Sequence, residues 1–240
     1  MSMIFQKRST RTRVSTETGM FMLGIFIHSL LSVDLTYPLA NFIGGHALML
    51  GPQDIQLGVN ESMQDTAKVL CRFNDIILAR VFAHADVVEL AKYSSVPVIN
   101  ALSDRYHPLQ TLADLMTLKE HFGQLKGKTL SWVGDGNNVL HDLMIGSIKL
   151  GMNVRVATPK GITHFSHSNY WLTCLLYTGY EADKDIVKEA QQLAQQHNVK
   201  LTFTNDPIES VNGANVVVTD TWISMGQEEE AKKRKIDFKG

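Results

Sequence analysis

The chain has 240 residues, with 23 Lys and Arg against 24 Asp and Glu and a formal charge of −1. That length suits one large or two modest α/β domains with a sizeable core, and near neutrality leaves no global field for a nucleic acid or an anionic membrane. Cys71 and Cys174 are the only cysteines, which argues against a disulfide framework, and the first residues read as neither a signal peptide nor a transit segment.

A short apolar strand, Met3 to Phe5, runs into Gln6-Lys7-Arg8-Ser9-Thr10-Arg11-Thr12-Arg13. Hydroxyls interleaved with cations suit an anion. Ser9 and Thr10 can cap the helix that follows, leaving its N–H groups and positive dipole end for phosphate oxygens, while Arg11 offers a planar pair of donors. By pattern alone a solvated basic face is an equal reading. The helix is expected to finish at Met20 to Gly24, before an apolar region from Ile25 to Ile43. His28, Asp34, Pro38 and Asn41 within it argue against a bilayer span. Gly45 to Leu50 reads as the next strand.

Apolar strands then alternate with amphipathic helices, the pattern of parallel sheets with helices on both faces. Asp75 to Arg80 ends on a cation, and Val96 to Asn100 ends just before Leu102-Ser103-Asp104. Next comes His107-Pro108-Leu109-Gln110, with Pro108 suited to a first helical position and Leu109, Leu112, Met116 and Phe122 to the buried side. Ligands gather outside the carboxyl ends of strands in such sheets, so Ser9, Arg11, Arg80 and His107 could converge on one crevice. Taken singly, Arg80 reads as a surface ion-pair partner and His107 as a helix cap.

His121 to Gly127 closes that helix and is the expected domain boundary. The strand Thr129 to Val133 leads into Gly134-Asp135-Gly136-Asn137-Asn138, a weak match to a dinucleotide turn. The third glycine would fall at Val139, and Val154, Arg155 and Val156 stand where an acidic ribose partner belongs. A nucleotide-dependent oxidoreductase is therefore only the alternative reading. A helix from Asn138 to Leu150 is closed by Gly151. After Ala157 to Gly161, the segment 162–179 holds His164, His167 and Cys174 without a fourth ligand, so no metal site is expected. A helix near Tyr180, a strand Val199 to Phe203, the Asp206-Pro207 turn and a strand Asn215 to Thr219 follow, and the last strand delivers Asp220. Beyond it stands Thr221-Trp222-Ile223-Ser224-Met225-Gly226-Gln227-Glu228-Glu229-Glu230. In isolation Asp220 would read as a cap and Met225 as core filler. Glu228 to Glu230 facing Lys232 to Arg234 read as surface helix support.

Three motifs carry a resemblance. Ser9-Thr10-Arg11-Thr12-Arg13 resembles the carbamoyl-phosphate motif of the aspartate and ornithine carbamoyltransferases, and Val14-Ser15-Thr16-Glu17-Thr18-Gly19 resembles their ornithine branch. Gly134 to Asn138 and Thr221 to Glu230 resemble the ornithine-side turn and substrate loop. The resemblance implies an α/β fold of two domains, each a parallel sheet flanked by helices and incomplete at both termini. A carbamoyl-phosphate domain would span 1–123 and an ornithine domain 124–240, with atypical insertions at about 25–44 and 162–179.

The same resemblance assigns residues. Ser9, Thr10, Arg11 and Thr12 would hold the phosphate, and Arg80, His107 and Gln110 the carbamoyl group. Gln56 would reach the phosphate of a neighbouring subunit. Asn138, Asp220, Ser224 and Met225 would hold ornithine. The implied reaction is carbamoyl phosphate plus L-ornithine to L-citrulline plus phosphate, in arginine biosynthesis or the urea cycle. An amine attacking the carbamoyl carbon creates an oxyanion, which Arg80, His107 and the Thr12 hydroxyl would stabilise. This chemistry needs no cofactor. Further implications are a homotrimer, a mitochondrial matrix location, and no nucleic-acid or membrane partner. Relatives carry a helix before the first strand and a His-Cys-Leu-Pro segment beyond the position of Gly240. Their lack predicts little turnover, and a noncatalytic ligand-binding or interaction subunit is a second alternative.

Overall fold

The computed structural model describes residues 1–30, 45–55, 60–159 and 180–221. By internal packing the chain divides into two units, Met1–Leu109 and Gln110–Gly240. Each is built on a four-stranded parallel sheet.

The first unit runs β1 (Ser2–Phe5), α1 (Arg11–Leu30), β2 (Leu48–Leu50), α2 (Met63–Leu70), β3 (Ile77–Arg80), α3 (His84–Tyr93) and β4 (Val98–Leu102). The strand order is β2-β1-β3-β4. All of β1 and β3 is buried, as apolar central strands covered on both faces require. Period-two alternation divides their side chains between two cores. Ile4, Ile77 and Ala79 pack with Ala67 of α2 and Leu90 of α3, whereas Met3, Phe5 and Leu78 pack with Ala101 and Leu109.

α1 continues to Leu30 and does not stop near Gly24 as expected. A single interior glycine costs a helix only about 1 kcal/mol relative to alanine, too little to end it. Most of the apolar region that follows lies outside the described residues. Among the described residues no helix is long and apolar enough to cross a membrane.

The second unit contains most of α4 (Pro108–Phe122), then β5 (Thr129–Val133), α5 (Asn138–Lys149), β6 (Asn153–Ala157), α6 (Lys184–His197), β7 (Leu201–Thr204), α7 (Pro207–Val211) and β8 (Val216–Val218). Its order is β7-β6-β5-β8. Leu130, Trp132, Leu140, Leu143, Met144, Ile148, Val154 and Val156 are buried to 1% exposure or less. Trp132 Nε1 donates to the Asp135 carbonyl at 3.0 Å, so the indole is buried with its one polar atom satisfied.

The expected inner side of α4 is corrected. Leu112 and Met116 are 64% and 59% exposed, and the buried positions are Thr111 and Leu115. Their methyl groups, Cγ2 and Cδ1, each lie 2.9 Å from where a Cβ on Gly146 of α5 would stand. The missing side chain at Gly146 brings α4 in on this face, which hydrophobic spacing within α4 does not encode. By internal packing the first unit ends at Leu109, the second residue of α4.

Strand order also fixes where ligands gather. From β1 the chain steps out to β2 and then returns to the other side of β1 as β3. From β5 it steps out to β6 and β7 and returns on the other side as β8. Each sheet therefore reverses direction beside its first strand, and such switch points open a crevice at the carboxyl ends.

Candidate functional site

At the switch point of the first sheet, the carboxyl ends of β1 and β3 are bound together. Gln6 N donates to the Arg80 carbonyl at 2.9 Å. The Gln6 side chain then accepts from Phe82 N at 2.6 Å and donates to Asp86 at 3.2 Å, so one amide fixes the β1 exit to the start of α3. Ser9 Oγ accepts from Thr12 N at 3.3 Å, and the Thr10 carbonyl accepts from Val14 N at 3.0 Å. The predicted capping of α1 by this turn is present.

Arg80 ends β3 at a register shift against β4. It is only 7% exposed, and its Nε has no hydrogen-bond partner. Burial pushes its pKa down, because taking a guanidinium out of water penalises the charged form. Lys7 is pushed down as well, first by burial and then by the nearby charge of Arg80, with Asp104 opposing. Its Nζ lies 4.6 Å from the centroid of the Phe82 ring. Two partly desolvated cations, one of them with an unpartnered guanidinium N–H, form a site that an anion would relieve. Arg11 is exposed on the first turn of α1, while Arg13 pairs with Glu17 at 3.0 Å.

His107 reaches this edge through the loop after β4. Ser103 N donates to the Tyr106 carbonyl at 2.9 Å, Asp104 N to the Phe82 carbonyl at 2.9 Å, and His84 N to Asp104 Oδ1 at 2.8 Å. The loops leaving β3 and β4 are thus stitched together, and half-buried His107 stands just before α4. Ser9 to Thr12 follow β1, Arg80 ends β3 and His107 follows β4, three adjacent strands of one sheet. Gln110 is exposed, with its amide donating to Asp114 Oδ1 at 2.8 Å. Gln56 lies outside the described residues.

The second sheet presents different chemistry at its switch point. Asp220 follows β8, and its Oδ2 accepts from Asn137 Nδ2 at 2.8 Å while Oδ1 accepts from Thr221 N at 2.7 Å. Asn137 also caps α5, its Oδ1 accepting from Val139 N at 3.0 Å and Leu140 N at 3.2 Å. Asn138, half-buried, opens the helix. Ser224 and Met225 lie outside the described residues. Asp114 has its pKa raised, first by burial, with the Asp220 charge adding and the Gln110 hydrogen bond opposing. Sequence reasoning missed Asn137, although Asn directly before a helix start is the favoured capping residue.

The glycine turn does not serve a pyrophosphate. Gly136 N donates to the Tyr180 carbonyl at 2.9 Å, and a Cβ there would collide with the backbone of Glu181 and Ala182. The close approach that a dinucleotide fingerprint reserves for phosphate is here taken by the chain itself. Asp183 N, next along, donates to His141 Nε2 at 3.1 Å. Among the described residues no group of three His, Cys, Asp or Glu could hold a metal, and His164, His167 and Cys174 lie outside them.

Family models agree with the two halves. Residues 39–120 match the carbamoyl-P binding domain, and residues 126–240 the Asp/Orn binding domain, of aspartate/ornithine carbamoyltransferase. The chain belongs to the aspartate/ornithine carbamoyltransferase family. It is 49% identical, over its whole length, to the mitochondrial ornithine carbamoyltransferase of Aquarana catesbeiana, and spans 58% of that relative. The solved ornithine carbamoyltransferase of Pyrococcus furiosus superposes with a TM-score of 0.78 at 45% identity, over 99% of this chain and 64% of that one. The anabolic ornithine carbamoyltransferase of Campylobacter jejuni gives 0.77 at 32% identity, over 100% of this chain and 67% of that one. The fold matches the expected carbamoyltransferase architecture, two parallel sheets flanked by helices.

Proposed function

We propose that this chain forms the core of an ornithine carbamoyltransferase, which converts carbamoyl phosphate and L-ornithine to L-citrulline and phosphate. The observation that carries the reading is the pairing of chemistries at the two switch points: a buried Arg80 with an unpartnered Nε on one sheet and a fixed Asp220 on the other. The first suits a phosphorylated carbonyl compound and the second an ammonium group. An aspartate-type site would need cations to receive a second carboxylate. The names of the relatives support the same branch.

In this mechanism Ser9, Thr10, Arg11 and Thr12 bind the phosphate with the N-terminal end of α1. Arg80 and His107 face the carbamoyl oxygen, and Gln110 assists in holding the carbamoyl group. Ornithine is held by Asn138, Asp220, Ser224 and Met225, so that its neutral δ-amine meets the carbonyl carbon. Attack forms the C–N bond, and negative charge collects on the oxygen that Arg80, His107 and the Thr12 hydroxyl stabilise. Collapse breaks the bond to the phosphate oxygen, phosphate leaves, and the nitrogen loses a proton. Positioning of both reactants supplies much of the acceleration.

The complete protein is proposed to be a homotrimer in which Gln56 reaches a neighbour's phosphate, and to work in the mitochondrial matrix, in keeping with the mitochondrial relatives of frog and chicken. The deciding assay, run on the complete protein, is citrulline formation from carbamoyl phosphate with L-ornithine, beside carbamoylation of L-aspartate. Turnover of L-ornithine alone is expected, and turnover of L-aspartate alone overturns the assignment. Light scattering that finds an active monomer would remove the shared site.

A further inference from the structure

We infer that Asn137 is a positioning residue for the amino-acid substrate, acting through Asp220 and not through contact with the substrate. The inference rests on the ornithine reading above. Asn137 has a single amide, and both ends of it are used. Its oxygen takes two of the free N–H groups in the first turn of α5, Val139 N at 3.0 Å and Leu140 N at 3.2 Å. Those groups need an acceptor, so the amide orientation is decided: the NH2 end must turn outward. There it donates to Asp220 Oδ2 at 2.8 Å.

The consequence falls on Asp220. Thr221 N holds its other oxygen at 2.7 Å, so a carboxylate at the end of a strand, free to rotate about χ2, is gripped from two sides. Each oxygen keeps unused lone-pair directions for a substrate ammonium. The grip also opposes a repulsion, because the Asp220 charge is felt at Asp114 on α4. Asn137 leaves β5 and Asp220 leaves β8, adjacent strands paired Trp132 to Val218, so this hydrogen bond spans the switch point itself. Capping and substrate alignment are thereby coupled: the start of α5, which carries Asn138, and the carboxylate of Asp220 share one amide.

Serine separates the two roles. N137S keeps an oxygen that caps nearly as well as asparagine but cannot reach Asp220, whereas N137A loses both. Affinities of the chain for L-ornithine and for 5-aminopentanoate, which is L-ornithine without its α-amino group, are to be measured by calorimetry alongside inorganic phosphate. N137S is expected to weaken L-ornithine about ten-fold, the loss of one charge-assisted hydrogen bond. The 5-aminopentanoate and phosphate affinities and the thermal midpoint should stay at parental values. Equal weakening of L-ornithine and 5-aminopentanoate would reduce Asn137 to a structural cap and overturn the inference, as would an unchanged affinity for L-ornithine. Failure of the unsubstituted chain to bind L-ornithine overturns the functional reading, and the inference with it.

Discussion

The two units use one strand plan for opposite chemistry. In each, the first strand sits inside a four-stranded parallel sheet and the chain reverses direction beside it. At the first reversal the polar groups are cationic and Arg80 Nε has no partner. At the second, Asn137 and Asp220 satisfy each other and the backbone around them. The first strand end thus carries a desolvated cation with an unsatisfied N–H, whereas at the second the polar groups hold one another. The plan supplies position, and the side chains at the strand ends supply the chemistry.

The sharpest way to break this comparison is at Gly136, where the second unit holds its turn against the Glu181 and Ala182 backbone. G136A is expected to cost about 3 kcal/mol through overpacking, read as a lower urea midpoint, and to leave phosphate affinity unchanged. A stable G136A variant would mean that the 180–183 stretch does not pin the turn.

Next in size is Arg80. R80M should weaken carbamoyl phosphate on the order of 100-fold, the loss of a buried charge-assisted donor set, measured by calorimetry. Thermal stability should be unchanged or higher, since the guanidinium is desolvated without a partner in the free protein. If R80M instead destabilises the fold, Arg80 is a structural group.

Ser9 tests the helix end of the same site. S9A removes the acceptor for Thr12 N and should cost about 1 kcal/mol in thermal unfolding. Phosphate binding should weaken as well, because the first turn of α1 frays. Retained stability would show that Thr10 caps the helix alone.

The smallest effect lies at Asp114. Its folded pKa is raised above the ordinary value of 3.8, mainly by burial, so the folded state holds the proton more tightly than the unfolded chain does. Ionised Asp114 therefore costs stability at pH above its folded pKa, and the cost fades as pH falls through that value towards 3.8. D114N keeps an acceptor for Gln110 and should be more stable than the parent at pH 7, with the gap closing in acid. Because Asp114 is half-exposed, the gain should stay under about 1 kcal/mol. A gap that widens on acidification would give the shift the wrong sign.

What the sequence determined by itself was local. Apolar runs ending in Arg80, Asn100 and Val133 marked strands, the second of which runs on to Leu102, and Pro108 and Asn138 marked helix starts at the residues where they occur. Short-range sterics and capping set these features, and they leave traces within a few residues. The cations of Ser9 to Arg13 and the acid at Asp220 were legible for the same reason.

Tertiary structure decided which strands became neighbours. Only the return of β3 and of β8 beside the first strand of its sheet brings Arg80 to Gln6 and Lys7 and Asp220 to Asn137. It also decided which face of α4 is buried, through an absent side chain at Gly146, and turned Gly136 from a nucleotide signature into a backbone contact. Such outcomes depend on groups dozens of residues apart, and no periodicity or local propensity within either segment records them.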